Sequence, residues 1–408
     1  GPQAFKRFVK DAHAAGFAVV LDVVYNHFGP SALDIWQFDG WSENGKGGIY
    51  FYNDHRSATP WGDTRPDYGR GEVRQYIHDN ALMWLDDYHV DGLRYDMTLY
   101  IRSIDGSDEL PEGWGLTQWI NRTINEKHPN ALTIAEDLQK NDYLTKPTEA
   151  GGAGFGTQWD AGFVHPVREV LTCPDDIHRS MTKICDALHH TYNNDVFQRV
   201  VYTESHDEVA NGKSRVPAEV APGDEENYFA QKLSALGAGL VMTAPGIPML
   251  FQGQEFLQGG WFDDTKALDW ENCDQHGGIF QLYSDLIQLR LNRLGNTAGL
   301  TGQHLHVSHC NDQEKIVAFQ RRLEGGPGDD TVVVLSFSGN VWGDYRIGFP
   351  SAGKWRLRFC SDSRLYSEAF DDQATGDCQA NDQGYDGMPA SGSVRIGPYS
   401  IQIFSQDP

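Results

Sequence analysis

Four short runs of apolar or β-branched residues each carry acids, three of them at the end, and they follow one order: LDVVYNH (Leu21 to His27), DGLRYD (Asp91 to Asp96), LTIAED (Leu132 to Asp137) and VVYTESHDE (Val200 to Glu208). A run that stops at a carboxylate is how a parallel barrel places acids at the C-terminal rim of its strands, where such enzymes keep their chemistry. The acids Asp96, Glu136 and Asp207 are separated by 40 and 71 residues. One strand and helix unit of such a barrel takes ~30 residues, so the gaps read as one unit and then two. The order therefore predicts an α/β chain with carboxylates gathered at one rim.

The segments between these runs carry the matching helices. AFKRFVKDAHAAG sets Phe5, Phe8, Val9 and Ala12 on one face and ends at Gly16 before the strand FAVVLDVVY. EVRQYIHDNALMWLDDY, with Val73, Ile77, Leu82 and Leu85 near one face, leads into the second strand, and GLTQWINRTINEKHP into the third. TQWDAGF, a helix over Asp176 to Thr191, the helix YFAQKLSALGAGLVMTA, a buried strand IPMLFQGQEF and the helix IFQLYSDLIQLRLN complete six units. The stretch 28–70 is too long and too rich in Gly, Asn, Asp and aromatics for an ordinary connection, which marks it as a functional loop. Beyond Thr301 the pattern becomes short alternating strands such as KIVAFQRR, DTVVVLSFS and KWRLRFC. The expected organisation is a (β/α)8 TIM-type barrel represented by about six βα units over 1–298, followed by a C-terminal antiparallel β-sandwich domain over 299–408.

With 57 acids against 33 Lys and Arg, the formal charge of -24 repels phosphate backbones and anionic lipid, so no nucleic acid and no membrane surface is expected as a partner. The six cysteines show no C-x-x-C and no metal-type spacing with His, and reduced thiols are the default. Cys360 and Cys378 are the pair that could bridge in an oxidising compartment. No apolar run approaches the ~20 residues of a membrane span, and the opening GPQAFKRFVK is not a signal peptide, so a cytoplasmic setting is expected unless an upstream leader has been lost.

Within DGLRYD the period of two puts Arg94 and Asp96 on one face, with Leu93 and Tyr95 on the other. The guanidinium can hold the Asp96 carboxylate ionised, as a nucleophile requires. Glu136 follows an apolar run, where partial burial favours its protonated form and suits a general acid. Two acids pushed apart in this way are what glycosidic cleavage needs. A lone Asp at a strand end is more often a helix cap or a rim ion pair; three in register are not.

In order, composition and spacing, these four motifs resemble those of the α-amylase superfamily of glycoside hydrolases and transglycosylases. The resemblance implies Asp96 as catalytic nucleophile, Glu136 as general acid/base and Asp207 as the third carboxylate, which binds the distorted sugar. It also implies that Asp22, His27, Arg94 and His206 bind substrate at the cleavage point, and that the partners are α-glucans: glycogen, starch or maltooligosaccharides. No cofactor is required on this reading; a structural calcium is possible, with Asn26 its candidate ligand. Ser205-His206-Asp207-Glu208-Val209, Ala135-Glu136-Asp137 and Gln252-Gly253-Gln254-Glu255-Phe256 look like glycogen (1,4-alpha-glucan) branching enzymes, whereas DVVYNHFGP, ending at Pro30, looks like maltooligosyl-trehalose hydrolases and debranching relatives. The implied mechanism is double displacement with retention, completed by transfer to a 6-hydroxyl or by hydrolysis. A barrel of this family has two strands before the one that ends at Asp22, so a fragment with an exposed edge, in the limit an inactive glucan-binding fragment, is a further expectation.

Other signals read as structure. Ser205, His206 and Asp207 are consecutive and cannot converge as a triad. The run Gly151 to Gly156 lacks the Lys-Ser/Thr of a phosphate loop. His165, His189 and His190 read as surface or core residues. Trp41, Trp61, Trp159 and Trp261 are placed in rim loops, where they could stack on sugars or pack locally.

Overall fold

The computed structural model describes residues 1–29, 35–373 and 376–408; Pro30 and the rest of 30–34 within the long loop lie outside the described residues. The chain folds as two compact units, one of residues 1–161 with 192–194 and one of 162–191 with 195–408.

The first unit alternates helix and parallel strand. It comprises α1 (Pro2–Ala14), β1 (Val20–Val23), α2 (Gly71–Asp86), β2 (Gly92–Tyr95), the single turn α3 (Leu99–Arg102), α4 (Pro111–Lys127), β3 (Leu132–Ala135) and β4 (Thr157–Trp159). The strands pair in parallel in chain order, Asp22 opposite Arg94 and Arg94 opposite Ile134. As the period of two requires, Leu93 and Tyr95 are fully buried in an apolar cluster with Val73, Ile77 and Leu85 of α2 and Leu116, Ile120 and Ile124 of α4. Gly92 is needed because a Cβ there would lie 2.4 Å from the Leu132 carbonyl oxygen of the neighbouring strand.

The long loop is ordered by one side chain rather than by periodicity. Fully buried Arg65 donates to the carbonyls of Arg56 (2.7 Å), Ala58 (2.6 Å), Ser103 (2.9 Å) and Ile104 (2.7 Å), and also to that of Tyr100. Those carbonyls are the groups a buried loop would otherwise leave unsatisfied.

The second unit begins with α5 (Ala161–Thr172), α6 (Met181–His189), β5 (Arg199–Val201), α7 (Val216–Val220), α8 (Tyr228–Thr243), β6 (Ile247–Pro248), α9 (Asn272–Gln275) and α10 (Gly277–Arg290). β5 and β6 pair in parallel. The expected strand IPMLFQGQEF is shorter than its apolar run: Gly253 at φ 90° turns the chain into a 3-10 turn over Gln254–Phe256.

Antiparallel strands begin at β7 (His304–Asn311) and continue with β8 (Ile316–Arg322), β9 (Thr331–Ser336), β10 (Trp342–Phe349), β11 (Gly353–Cys360), β12 (Cys378–Ala380), β13 (Ala390–Ile396) and β14 (Ser400–Ser405). One sheet has the order β12-β11-β14-β9-β8-β7, and β10 pairs with β13 in a second. β8 and β9 are covered on both faces. Ile316, Ala318, Val332 and Val334 face the cluster of Ile347, Phe349 and Val394, while Val317, Phe319, Val333 and Leu335 join the core that holds Leu236 and Leu240 of α8 and Leu282 and Leu286 of α10. Two covered faces explain why these strands are continuous apolar runs. Close approach of α8 to β14 requires Gly239, where a Cβ would come within 2.4 Å of Ile401.

The Cys360–Cys378 bridge that the sequence left open is excluded. Cys378 stands opposite Trp355, five positions from Cys360 along β11, which is ~16 Å at 3.3 Å per residue and far beyond the ~7 Å a disulfide spans.

Candidate active site

In the first unit the ends of β1, β2 and β3 bring Asp22, Asn26, His27, Arg94, Asp96 and Glu136 together around one guanidinium. Arg94 Nη1 donates to both oxygens of Asp22 (2.7 and 2.9 Å) and to Asp96 Oδ1 (3.0 Å). Its Nη2 lies 2.5 Å from Glu136 Oε2. Below, the guanidinium lies 4.4 Å from the centroid of the Trp159 ring. Trp159 is thus a buried residue of β4 that supports Arg94, not a rim-loop platform. Burial works against the charged Arg94, but Glu136, Asp22 and Asp96 outweigh it and raise its pKa, so the cation is permanent.

Asp96 is held at both oxygens: Arg94 occupies Oδ1, and buried Asn26 donates through Nδ2 to Oδ2 at 2.8 Å and to the Asp96 carbonyl at 2.8 Å. Two donors, one to each oxygen, fix the orientation of the carboxyl group. The other end of the Asn26 amide meets His27 Nδ1. His27 stacks on Trp61 with centroids 4.6 Å apart and planes 8° from parallel. Burial lowers the pKa of His27 against the opposing pull of Asp96, so its imidazole is neutral at pH 7.

Glu136 departs from the expectation of partial burial, being 1% exposed. Besides Arg94, it accepts from the Met97 N–H at 3.0 Å, and its own carbonyl takes the Thr98 N–H (2.7 Å) and hydroxyl (2.9 Å). The next residue, Asp137, is fully buried and held by Arg102 through two bonds of 2.8 Å. Trp61, one of the aromatics placed in rim loops, packs on His27, whereas Arg102 behind Asp137 is not singled out by the motifs because it reaches the site from outside them.

Asn26, the candidate calcium ligand, is buried beside Asp96. Its carboxamide is turned to His27 and Asp96, and among the described residues no group of three or more His, Cys, Asp or Glu gathers as a metal site.

In the second unit, His206 Nε2 and Asp207 Oδ2 are neighbours at 3.3 Å, with 36% and 46% of their side chains exposed. Glu208 points the other way. It is buried between His165 Nε2 and Lys213 Nζ, both at 3.0 Å, and its N–H donates to Ser205 Oγ at 3.1 Å. Burial would raise its pKa, but the bonds from His165 and Lys213 prevail and hold the carboxyl down at about 2. His165 is therefore a fastening for the turn that presents Asp207. Of the remaining aromatics, Trp41 and Trp261 are exposed beside Arg70 and Lys266.

Residues 306–407 match the family model for the alpha amylase C-terminal all-beta domain. Over 99% of its length the chain is 29% identical to the 1,4-alpha-glucan branching enzyme GlgB of Corynebacterium jeikeium and 31% identical to that of Corynebacterium diphtheriae. It spans 57% and 56% of those relatives, little more than half their length. Among solved structures it superposes on an alpha-amylase of Geobacillus thermoleovorans complexed with acarbose (TM-score 0.72, 17% identity, 99% of this chain and 80% of that one). A pullulanase of Anoxybacillus sp. complexed with maltotetraose gives a TM-score of 0.68 at 19% identity, over 98% of this chain and 56% of that one. The motifs, the parallel α/β part, the C-terminal β-domain and these matches agree: the chain is like the 1,4-alpha-glucan branching enzymes of the α-amylase family.

Proposed function

We propose that this chain cleaves α-1,4-glucosidic bonds with retention and transfers the released segment to a 6-hydroxyl of an α-glucan such as glycogen, starch or a maltooligosaccharide. The observation that carries the reading is the single Arg94 guanidinium that holds Asp96 on one nitrogen and Glu136 on the other. Asp96, ionised and fixed at both oxygens, attacks the anomeric carbon while protonated Glu136 gives its proton to the leaving oxygen. Deprotonated Glu136 then activates the acceptor hydroxyl, which displaces Asp96. Asp22, Arg94 and His27 hold the sugar at the cleavage point. The resemblance assigns His206 and Asp207 to the same sugar, Asp207 as the carboxylate that supports the oxocarbenium-like transition state. The six strand and helix units belong, on this reading, to a (β/α)8-type barrel.

Hydrolysis is the second reading, favoured by the DVVYNH run and by likeness to amylase and pullulanase structures. A cytoplasmic setting is in keeping with six free thiols, and no helix of the described residues is long and apolar enough to cross a membrane. A proton NMR time course on amylose separates the readings. Branching raises the α-1,6 anomeric signal with few new reducing ends, hydrolysis raises reducing ends alone, and silence in both overturns the proposal.

A further inference from the structure

The segment after β6 contains the run Gln252-Gly253-Gln254-Glu255-Phe256, to which the proposed function gives no task, and it fastens the turn that carries His206 and Asp207. That turn is closed by the Val209 N–H on the Ser205 carbonyl at 3.2 Å and by the Ala210 N–H on that of Asp207 at 3.3 Å. It follows β5 by way of Thr203 and Glu204, both buried. Gln254 Nε2 donates to Thr203 Oγ1 at 3.0 Å, and Oε1 of the same amide accepts the Phe251 N–H at 2.7 Å, which settles how the amide faces. At the other end of the turn the Phe262 N–H donates to the Val209 carbonyl at 2.7 Å. One segment, 251–262, therefore grips the turn on both sides of Asp207.

A buried ion pair ties the same two stretches together. Glu204 Oε1 accepts the Val216 N–H at 2.6 Å, and its Oε2 lies 3.4 Å from Arg215 Nη1. Arg215 Nη1 also donates to the Gln252 carbonyl at 2.8 Å, and the Arg215 N–H to that of Gly260 at 2.8 Å. Arg168 completes the frame, with Nη1 on the Thr203 carbonyl at 2.8 Å and Nη2 on that of Ser214 at 2.9 Å. A buried ion pair is seldom a net gain in stability over apolar residues of the same volume, so what this one adds is a fixed geometry. We propose that Thr203, Glu204, Arg215 and Gln254 are positioning residues: together they set where the turn presents Asp207, without touching substrate themselves. The catalytic consequence rests on the proposed function, whereas the fastening does not.

The test compares the full-length chain with Thr203→Val, which keeps the shape and loses the hydroxyl, with Thr203→Ser, which keeps the hydroxyl, and with Gln254→Met. Steady-state kinetics on amylose are expected to show kcat about tenfold lower in Thr203→Val and Gln254→Met with KM changed by no more than about twofold, because a displaced Asp207 costs the transition state more than the bound substrate. Hydrogen exchange over 203–210 is expected to quicken in the same two variants, with the rest of the second unit unchanged. Thr203→Ser is expected to restore both readouts. Undiminished kcat in either Thr203→Val or Gln254→Met overturns the proposal, as does exchange over 203–210 that is unchanged or that quickens throughout the unit, the mark of a general loss of stability. If the wild-type chain does not turn over amylose, the proposed function falls, and the exchange comparison alone decides whether these residues hold the turn.

Discussion

At the scale of single residues, Asp96 and Glu136 are distinguished by how they are held. Asp96 is fixed at both oxygens and needs no change to attack, whereas Glu136 lies buried against a cation and a backbone N–H. Glu136→Gln is expected to slow amylose turnover by at least ~100-fold but α-maltosyl fluoride turnover far less, because fluoride departs without a proton. Steady-state kinetics on both substrates check this, and equal losses would deny Glu136 the acid role. Glu208 supplies a pH signature. Its folded-state value of about 2 lies below the ordinary 4.5, so its stabilisation is complete above about pH 4.5 and disappears as pH falls toward 2. Glu208→Gln is expected to lower Tm at pH 7 and to leave a much smaller difference from wild type at pH 3, read by calorimetry. The Arg94–Asp96 pairing was legible in DGLRYD because the strand period fixes it. The Arg94–Glu136 contact was not, since it depends on the register between neighbouring strands.

Among elements, helix and strand identity was readable where burial is one-sided or complete. α2, α4, α8 and α10 follow their apolar faces, and β8 and β9 their unbroken apolar runs. The last parallel strand was overread because IPMLF is apolar although the chain turns away after Pro248. The long loop was unreadable because its order comes from Arg65 and carbonyls far along the chain. Polar fastenings of this kind also tie α8 to the β-domain: Lys232 and Asp362 form a fully buried ion pair, and Asp362 accepts the N–H groups of Asp371 (3.2 Å) and Gln373 (2.8 Å). Asp362→Ala is expected to cost ~3–5 kcal/mol by stranding the Lys232 charge, whereas Lys232→Met with Asp362→Leu costs less, as denaturant melts would show. α6 and β7 meet at two thiols, Cys185 and Cys310, 2.7 Å apart. Oxidised glutathione is expected to join them, each chain losing two hydrogens as two glutathione thiols form; mass spectrometry reads the linked peptides. Full alkylation of both after that treatment would contradict the pairing.

At the scale of the whole molecule, the chain carries a set of parallel strands whose ends hold acids in a set order and, after them, a C-terminal β-domain. The architecture was legible because the apolar runs and their acids repeat with a spacing only strand and helix units explain. The positioning of the acids was not, because it depends on groups such as Asn26, Trp159 and Arg102 whose roles appear only in three dimensions. The central claim is that Asp96 attacks the sugar. Its most direct test is to incubate the Glu136→Gln chain with 5-fluoro-α-maltosyl fluoride, digest it and locate the glycosyl adduct by mass spectrometry. The account predicts one maltosyl group on the peptide that contains Asp96 and none after Asp96→Asn. A label on another acid, or turnover of the fluoride with full activity in Asp96→Asn protein, would contradict it.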